Sequence, residues 1–201
     1  MRALAIVVLL AIPSTALAQK LPPGTSATNY TPATASDRVS YIVLGTVGPQ
    51  SLGVGVLAAS WNTAFNTPEE WGQSWEGWGK RYLQREADVT ISNSIEAGLG
   101  AIWGEDPRYI PSGRKGIWPR ARYSMKTVFL GQYRDGHLGV AYGRIASNVF
   151  NNLIENTWLP PSATTWQATT TRALEGFLGR LGGNLWAEFW PDAKRRFFHK
   201  K

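Results

Sequence analysis

The chain has 201 residues, a formal net charge of +7 and no cysteine. This length suits one domain with a buried core. The absence of cysteine excludes disulfides, thiolate catalysis and cysteine-ligated metal sites, and the excess of Lys and Arg favours an anionic partner or surface.

Residues 1–18 have the pattern of a secretory signal peptide. Arg2 precedes an apolar run from Ala3 to Ile12, and Ala16 and Ala18 supply the small residues of a cleavage site. The apolar run is too short to remain in a bilayer as a spanning helix. We therefore expect cleavage after Ala18, a mature chain without a lipid anchor, and export to the periplasm or to an association with the outer membrane.

Three further regions follow the signal peptide. Residues 19–36 are rich in Pro, Thr, Ser and Ala, which is typical of a flexible leader. Residues 37–192 are expected to form the helical domain, and residues 193–201 a basic C-terminal tail. No charged residue occurs from Val39 to Thr67, and Gly48-Pro49 predicts two short helices in this stretch. It is either a buried helical hairpin or a membrane-embedded segment.

A long helix is predicted from Thr67 to Gly104, at the centre of the fold. Thr67 is an N-cap candidate, Pro68 suits the first helical position, and Glu70 has the spacing of a capping box. The next aromatic residues share one helical face: Trp71, Trp75, Trp78 and Tyr82. A seven-residue grid of small residues, which predicts close packing against another backbone, contains Gly72, Gly79 and Gly100.

Three more helices are predicted, at Pro119–Leu130, Ala141–Trp158 and Ala163–Phe189, with a turn at Asp135-Gly136. In the second of these helices the residues expected to face inward are Ile145, Val149, Leu153 and Ile154. The predicted fold class is all-α, a single helical domain of about five helices with glycine-rich close packing. The alternative is an outer-membrane β-barrel, which export and the abundant glycine and aromatic residues would suit.

The sequence contains no paired-histidine zinc motif, no phosphate-binding glycine loop and no serine-nucleophile elbow. We therefore predict neither a metal nor a cofactor. Three carboxylates are candidates for the acid and base of a glycan hydrolase, namely Glu96, Glu105 and Asp106. The loop from Glu105 to Tyr109 either binds a polar ligand or is locked by internal ion pairs.

Candidate binding residues lie in that loop and in two basic segments rich in aromatic residues, a composition typical of membrane interfaces. They are Arg108, Tyr109, Arg114, Lys115, Arg120, Arg122, Lys126, Lys194, Arg195 and Arg196. The expected partners are an anionic lipid surface or an envelope protein, with self-association through the acidic 67–104 region. Export and the absence of a DNA- or RNA-binding motif argue against nucleic acid.

The leading functional prediction is a non-enzymatic, exported cell-envelope protein that associates with a membrane surface or an envelope partner. The alternative is a carboxylate-dependent envelope hydrolase. Several segments resemble a family of uncharacterised exported bacterial proteins: Glu70–Gly72, Gly77–Tyr82, Glu105–Tyr109, Trp118–Arg120, Trp158–Pro160, Asn184 and Glu188–Asp192. The resemblance covers Thr67 to Phe198. It implies that the loop and the Glu188–Asp192 segment belong to one recurrent unit, and it implies no activity.

Overall fold

A computed structural model describes residues 21–22 and 24–198, with the side chains of all of these except Phe197 and Phe198. The predicted signal peptide lies outside the described residues. Among them are six α-helical segments: α1 Ala35–Val47, α2 Pro49–Ala64, α3 Trp75–Trp103, α4 Ile117–Lys126, α5 Tyr142–Glu155 and α6 Trp166–Phe198. Strands β1 Leu130–Gln132 and β2 Leu138–Val140 form an antiparallel hairpin, and short 3-10 turns occur at Glu69–Trp71 and Pro161–Ala163.

Helices α1 and α2 run one after the other along α3. They are separated at Gly48, whose ψ of 148° is extended, and Pro49 opens α2, so the predicted break is confirmed. The Arg38 guanidinium donates to the Ala97 carbonyl at 3.2 Å. At the other end of the pair, the Trp78 indole donates to Ser60 Oγ at 3.0 Å. The pair is therefore antiparallel to α3 over most of its length.

The central helix is present, but its predicted start was wrong. It begins at Trp75 with Ser74 as the N-cap, whose side chain accepts from the Gly77 N–H. Gly72, with φ of +63°, separates this helix from the preceding turn. Glu70, expected in a capping box, instead accepts from Ser162. The end is as predicted, because Gly104 adopts a left-handed C-cap with φ of +82°.

Close glycine packing occurs on the predicted line only at Gly100, and not at Gly72 or Gly79. A Cβ added at Gly100 would lie 2.8 Å from the Glu105 carbonyl oxygen, and one at Gly143 would lie 3.2 Å from the Gly100 nitrogen. A Cβ at Gly79 would meet nothing within 4 Å, and Gly72 precedes the helix. The close approach is therefore between α3 and α5, at Gly100 and Gly143.

Two predicted boundaries in the second half of the chain were also wrong. The helix predicted to reach Leu130 ends at Lys126, because the chain turns into the β1–β2 hairpin. The last helix continues through Pro191 to Phe198 instead of ending near Phe189. The described residues nevertheless form a mainly helical single domain, so the predicted fold class is confirmed. The β-barrel alternative was wrong, since the described part of the chain contains one two-stranded hairpin.

Candidate functional site: a polar cavity inside an apolar surface

The interior of the helical bundle is polar. Helix α5 shows this most clearly: its buried residues include Arg144, Ser147, Asn151 and Glu155. Its exposed residues include Val149, Phe150, Leu153 and Ile154. The prediction that the apolar side of this helix faces inward was therefore wrong for Val149, Leu153 and Ile154, and the helix turns its polar side to the protein instead.

The same inversion holds for the neighbouring helices. On α3, Arg81 and Glu96 are buried, at 3% and 4% exposed, whereas Leu83 and Ile102 are 69% and 75% exposed. Among the described residues from 81 to 113 and from 136 to 193, no Asp, Glu, Lys or Arg is classed as exposed. We use the name apolar band for the exposed apolar surface of α1, α2, α3, α5 and α6. Its large members are Val39, Val43, Val47, Val56, Leu57, Leu83, Ile102, Val149, Phe150, Leu153, Ile154, Leu174 and Leu178.

The two edges of the apolar band carry tryptophan. At one edge, Trp78 contacts Ser60 of α2 and the Trp158 indole donates to Gln84. At the other edge, the ring of Trp103 lies 6.4 Å from that of Tyr142, and Trp186 and Trp190 stack at 4.7 Å. Tryptophan side chains with an apolar ring and a polar N–H favour such boundaries between apolar and aqueous surroundings.

Exposed charges lie beyond these edges and differ in sign. The acidic end comprises Glu69, Glu70, Glu76 and Lys80, at the start of α3. The basic end comprises Arg114, Lys115, Arg122, Lys126, Arg134, Lys194, Arg195 and Arg196, together with one exposed acid, Asp135. Arg120 of α4 bonds to Glu188 and Asp192 of α6, which places the two basic segments side by side. The basic end therefore joins segments that are remote in the chain.

A cavity of about 870 Å³ lies between α2 and α6, with α3 and α5 as its floor. The α2 wall is mostly apolar and presents Val54, Ala58, Trp61 and Phe65. The floor is polar and includes Arg85, Asp88, Asn93, Asn148, Asn151 and Glu155. The volume falls within the range of about 300–1,000 Å³ that is typical of small-molecule sites. We call this space the polar cavity.

A charged cluster occupies the part of the polar cavity nearest the basic end. Glu96 accepts from Arg144 Nε at 2.9 Å, from Arg180 Nη2 and from the Tyr41 hydroxyl at 2.8 Å. Arg144 also donates to the Thr127 carbonyl at 2.7 Å. Because two arginines share one carboxylate, this part of the floor is rigidly bonded and carries a positive charge.

The other part of the floor holds carboxyl and amide groups. Asn151 donates to Asp88 Oδ1, and Gln84 donates to Glu155 Oε1 at 2.9 Å. Asp88 and Glu155 lie within hydrogen-bonding reach of each other. Among the described residues, no protein partner is found for Asn151 Oδ1 or Asn93 Nδ2. An unpartnered buried polar atom costs roughly 1–3 kcal/mol, so these atoms favour a bound polar group.

The loop predicted to bind a ligand or to be locked by ion pairs is bonded internally. Arg108 donates to Asp106 Oδ1 and Oδ2 at 3.0 and 2.8 Å, and to the Thr31 carbonyl at 3.1 Å. Glu105 accepts from the Gly143 N–H at 2.8 Å, and burial raises the pKa of its carboxyl group. Both Arg108 and Asp106 are almost fully buried, so their geometry is that of an ion-pair lock.

A second buried network joins this loop to the end of α6. Glu188 accepts from the Tyr109 hydroxyl at 2.7 Å, from Ser112 Oγ at 2.6 Å and from Arg120 Nε at 2.8 Å. Burial opposes the charge of Glu188, but these donors outweigh it and lower the pKa of the carboxyl group. Burial and the Glu188 charge raise the pKa of Tyr123 to about 12. The charged Glu188 is thus the stable form at neutral pH.

The structure separates the predicted site residues into two groups. Arg108, Tyr109 and Arg120 are engaged in the networks above. The other predicted binding residues lie at the basic end: Arg114, Lys115, Arg122, Lys126, Lys194, Arg195 and Arg196. Of the predicted acid and base candidates, Glu96 lines the polar cavity, whereas Glu105 and Asp106 do not. The predicted carboxylates are therefore not brought together as a pair in that cavity.

Sequence reasoning missed the floor of the polar cavity, formed by Asp88, Asn148, Asn151, Glu155 and Arg172. A signal for it was present, since Arg144, Ser147, Asn151 and Glu155 recur at steps of three and four. The chain matches no family model, and no curated protein or solved structure shows significant similarity to it.

Proposed function

We propose that the protein is an exported cell-envelope protein that inserts into a membrane, with the apolar band in the hydrocarbon and the polar cavity inside. The single observation that supports this is the inversion of the bundle, which buries its charges and exposes its valine, leucine and phenylalanine side chains. Exposing such a surface to water costs roughly 25 cal/mol for each Å² of apolar area. Contiguous apolar patches of this kind mark interaction or membrane sites.

The height of the band supports a membrane rather than a protein partner. From Leu83 to Ile102 the outward face of α3 carries no charge, a rise of about 30 Å at 1.5 Å per residue. The hydrocarbon core of a bilayer is also about 30 Å thick. Residues Ala35–Ala64 are long and apolar enough to cross a membrane, and only 28% of their most apolar window is buried.

The ends of the molecule fit the same arrangement. The basic end would lie at anionic headgroups, where each Lys or Arg contributes about 1 kcal/mol of attraction. The tryptophans at both edges would lie at headgroup level. The basic and aromatic segments predicted to contact a membrane surface would thus lie at the headgroups, next to the apolar band that enters the hydrocarbon. Neither the acidic end nor the basic end requires an enzymatic role. The predicted carboxylates do not face each other as a pair, so they do not favour the hydrolase alternative.

Extraction of membranes from cells that express the full chain tests this proposal. We expect the protein to stay in the membrane pellet after washes with high salt and with alkaline carbonate, and to leave only in detergent. Phe150→Glu should increase release by carbonate, because Phe150 is next to Asn151, which bonds to Asp88 near the middle of α3, and a charge near the bilayer centre costs about 2.5–3.5 kcal/mol. Lys80→Glu, at the acidic end, should leave retention unchanged. Release of the unaltered protein by salt alone would overturn insertion.

A further inference from the structure

We infer that the floor of the polar cavity binds an amphiphilic organic cation, a ligand with an ammonium group and a short apolar chain. This inference does not depend on membrane insertion, because the cavity is a property of the folded chain. It rests on the hydrogen-bonding capacity left open on the floor, on the nearby carboxyl groups and on the apolar wall of α2.

The unused hydrogen-bonding capacity of the floor is mainly that of acceptors. Asn151 is 2% exposed, and its Oδ1 has no partner among the described residues. Asn148 Oδ1 also has none, while its Nδ2 lies against Gly176, only 2.2 Å from where a Cβ at that position would be. Both residues line the polar cavity. A ligand group that donates several hydrogen bonds would satisfy them.

The charge around these acceptors favours a cationic donor. Asp88, Glu155 and Glu175 line the same part of the cavity. Asp88 and Glu155 are electrostatic neighbours, and Arg172 Nε lies 3.6 Å from Glu155 Oε2. Two neighbouring carboxylates repel unless a proton or a cation lies between them. An ammonium group has three donors and one positive charge, so it would bond to both carboxylates and to an amide oxygen.

The neighbouring arginines do not offer an equivalent site for an anion. Arg172 donates to Asn152 Oδ1 at 3.2 Å, to Asn156 Oδ1 at 2.6 Å and to the Ala163 carbonyl. Arg85 donates to Ser51 Oγ at 2.9 Å and to Glu86 Oε1 at 2.8 Å. These guanidinium groups hold the helices together, so they offset only part of the charge of the three carboxyl groups and provide no free donors for an anion.

The wall opposite this floor suits an apolar chain. Val54, Ala58 and Trp61 of α2 face the cavity, whereas Ser51, Gly55 and Ala59 face α3 and are buried. Asn93 Nδ2 is the unpartnered donor on the floor and would donate to a hydroxyl or carbonyl oxygen of the same ligand. A ligand of this class would therefore have its ammonium group on the α3–α5 floor and its chain against α2.

Calorimetric titration of the full chain in a non-ionic detergent tests the inference with three probes of equal length: hexylammonium, hexanol and hexanoate. We expect hexylammonium to bind at least tenfold more tightly than the other two. The variants Asp88→Asn and Glu155→Gln, which keep the shape of each side chain, should each weaken hexylammonium binding at least tenfold. Glu76→Gln, at the acidic end, is the matched control and should bind as the unaltered protein does.

Circular dichroism and a thermal melt in the same detergent establish that each variant is folded. Equal affinity for the three probes would overturn the inference, because it would show that the charge of the headgroup does not decide binding. Unchanged hexylammonium binding in folded Asp88→Asn and Glu155→Gln would also overturn it. Because these measurements use detergent-solubilised protein, their failure is distinguishable from a failure of membrane insertion.

Discussion

Single residues determine how the loops at the basic end are held. Glu188 is the clearest case, because one carboxylate accepts from Tyr109, Ser112 and Arg120 in a buried setting. Hydrogen bonds to a charged group stabilise a protein by about 1.5–3 kcal/mol each, and losing the charge leaves its donors unpaired. The fixing of residues 105–112 against α6 therefore depends on the ionised form of this side chain.

The pH dependence of stability follows from the lowered pKa of Glu188. A carboxyl group whose pKa is lower in the folded than in the unfolded state stabilises the protein above its unfolded pKa, about 4.3 for Glu. That stabilisation disappears as the pH falls through the folded pKa. We expect Glu188→Gln to lower the free energy of unfolding by about 2 kcal/mol at pH 7, and by progressively less below pH 4.

Denaturant titration in detergent at several pH values measures this difference. Glu76→Gln is the control, since Glu76 is an exposed residue paired with Lys80, and its stability curve should follow that of the unaltered protein. If the cost of Glu188→Gln were the same at pH 3 and at pH 7, the charge of Glu188 would not be what stabilises the network.

At the scale of the helices, the short distance between the α3 and α5 backbones depends on two glycines, Gly100 and Gly143. The polar side chains of both helices bond across this contact, as in the pairs Glu96–Arg144 and Asp88–Asn151. A Cβ at Gly143 of α5 would lie 3.2 Å from the Gly100 nitrogen of α3, whereas a Cβ at Gly100 would lie 2.8 Å from the carbonyl oxygen of Glu105, in the loop after α3. Separation of the helices by even a small distance would lengthen those bonds.

Alanine substitution distinguishes this close contact from ordinary helix propensity. Gly100→Ala should lower the free energy of unfolding by about 1–3 kcal/mol, because the added methyl group would lie 2.8 Å from the Glu105 carbonyl oxygen and 3.0 Å from Arg38 Nη1. Gly98 lies about half a helical turn before Gly100, and a Cβ added there would meet nothing within 4 Å. Gly98→Ala should therefore raise the free energy of unfolding by up to about 1 kcal/mol. Thermal melts of the two variants give opposite shifts, and a loss of stability in both would contradict this explanation.

The secondary-structure elements were largely predictable from the sequence. Which side of each helix faces the protein interior was not. Pro49 and Gly104 mark boundaries with local chemistry, so the α1–α2 break and the end of α3 followed from sequence. The start of α3 did not, because Ser74 competed successfully with Thr67 as the cap. On α5, the spacing of Val149 and Leu153 shows an amphipathic helix, but spacing alone does not say which side meets the protein. That depends on whether water or hydrocarbon surrounds the bundle.

At the scale of the whole molecule, the same inversion explains why the candidate site was only partly predicted. Asp88 lies on α3 whereas Asn151 and Glu155 lie on α5, and only packing brings the two helices together. Glu96 was one of the three predicted acid and base candidates, and it does line the polar cavity. The basic residues were predicted from composition, whereas their grouping at one end required the contact between Arg120 and Glu188.

The acidic end, the apolar band and the basic end give the molecule a direction. If the band lies in hydrocarbon, the basic end faces an anionic leaflet, and the polar cavity extends toward the acidic end, where Arg81 and Trp71 line it. A membrane-inserted bundle of this kind would present its cavity to one compartment. This arrangement follows from the placement of the charges alone.

Spin labels on single cysteines test the central claim, that the apolar band contacts lipid. The chain has no cysteine, so variants such as Val43→Cys, Leu83→Cys and Phe150→Cys each carry one label after reconstitution into vesicles. We predict that these labels are accessible to oxygen, which dissolves in hydrocarbon, and shielded from a water-soluble nickel complex, while a label at Lys80→Cys shows the reverse. Accessibility of the band labels to the nickel complex would contradict the account, as would shielding from both reagents, which would indicate a protein partner in place of lipid.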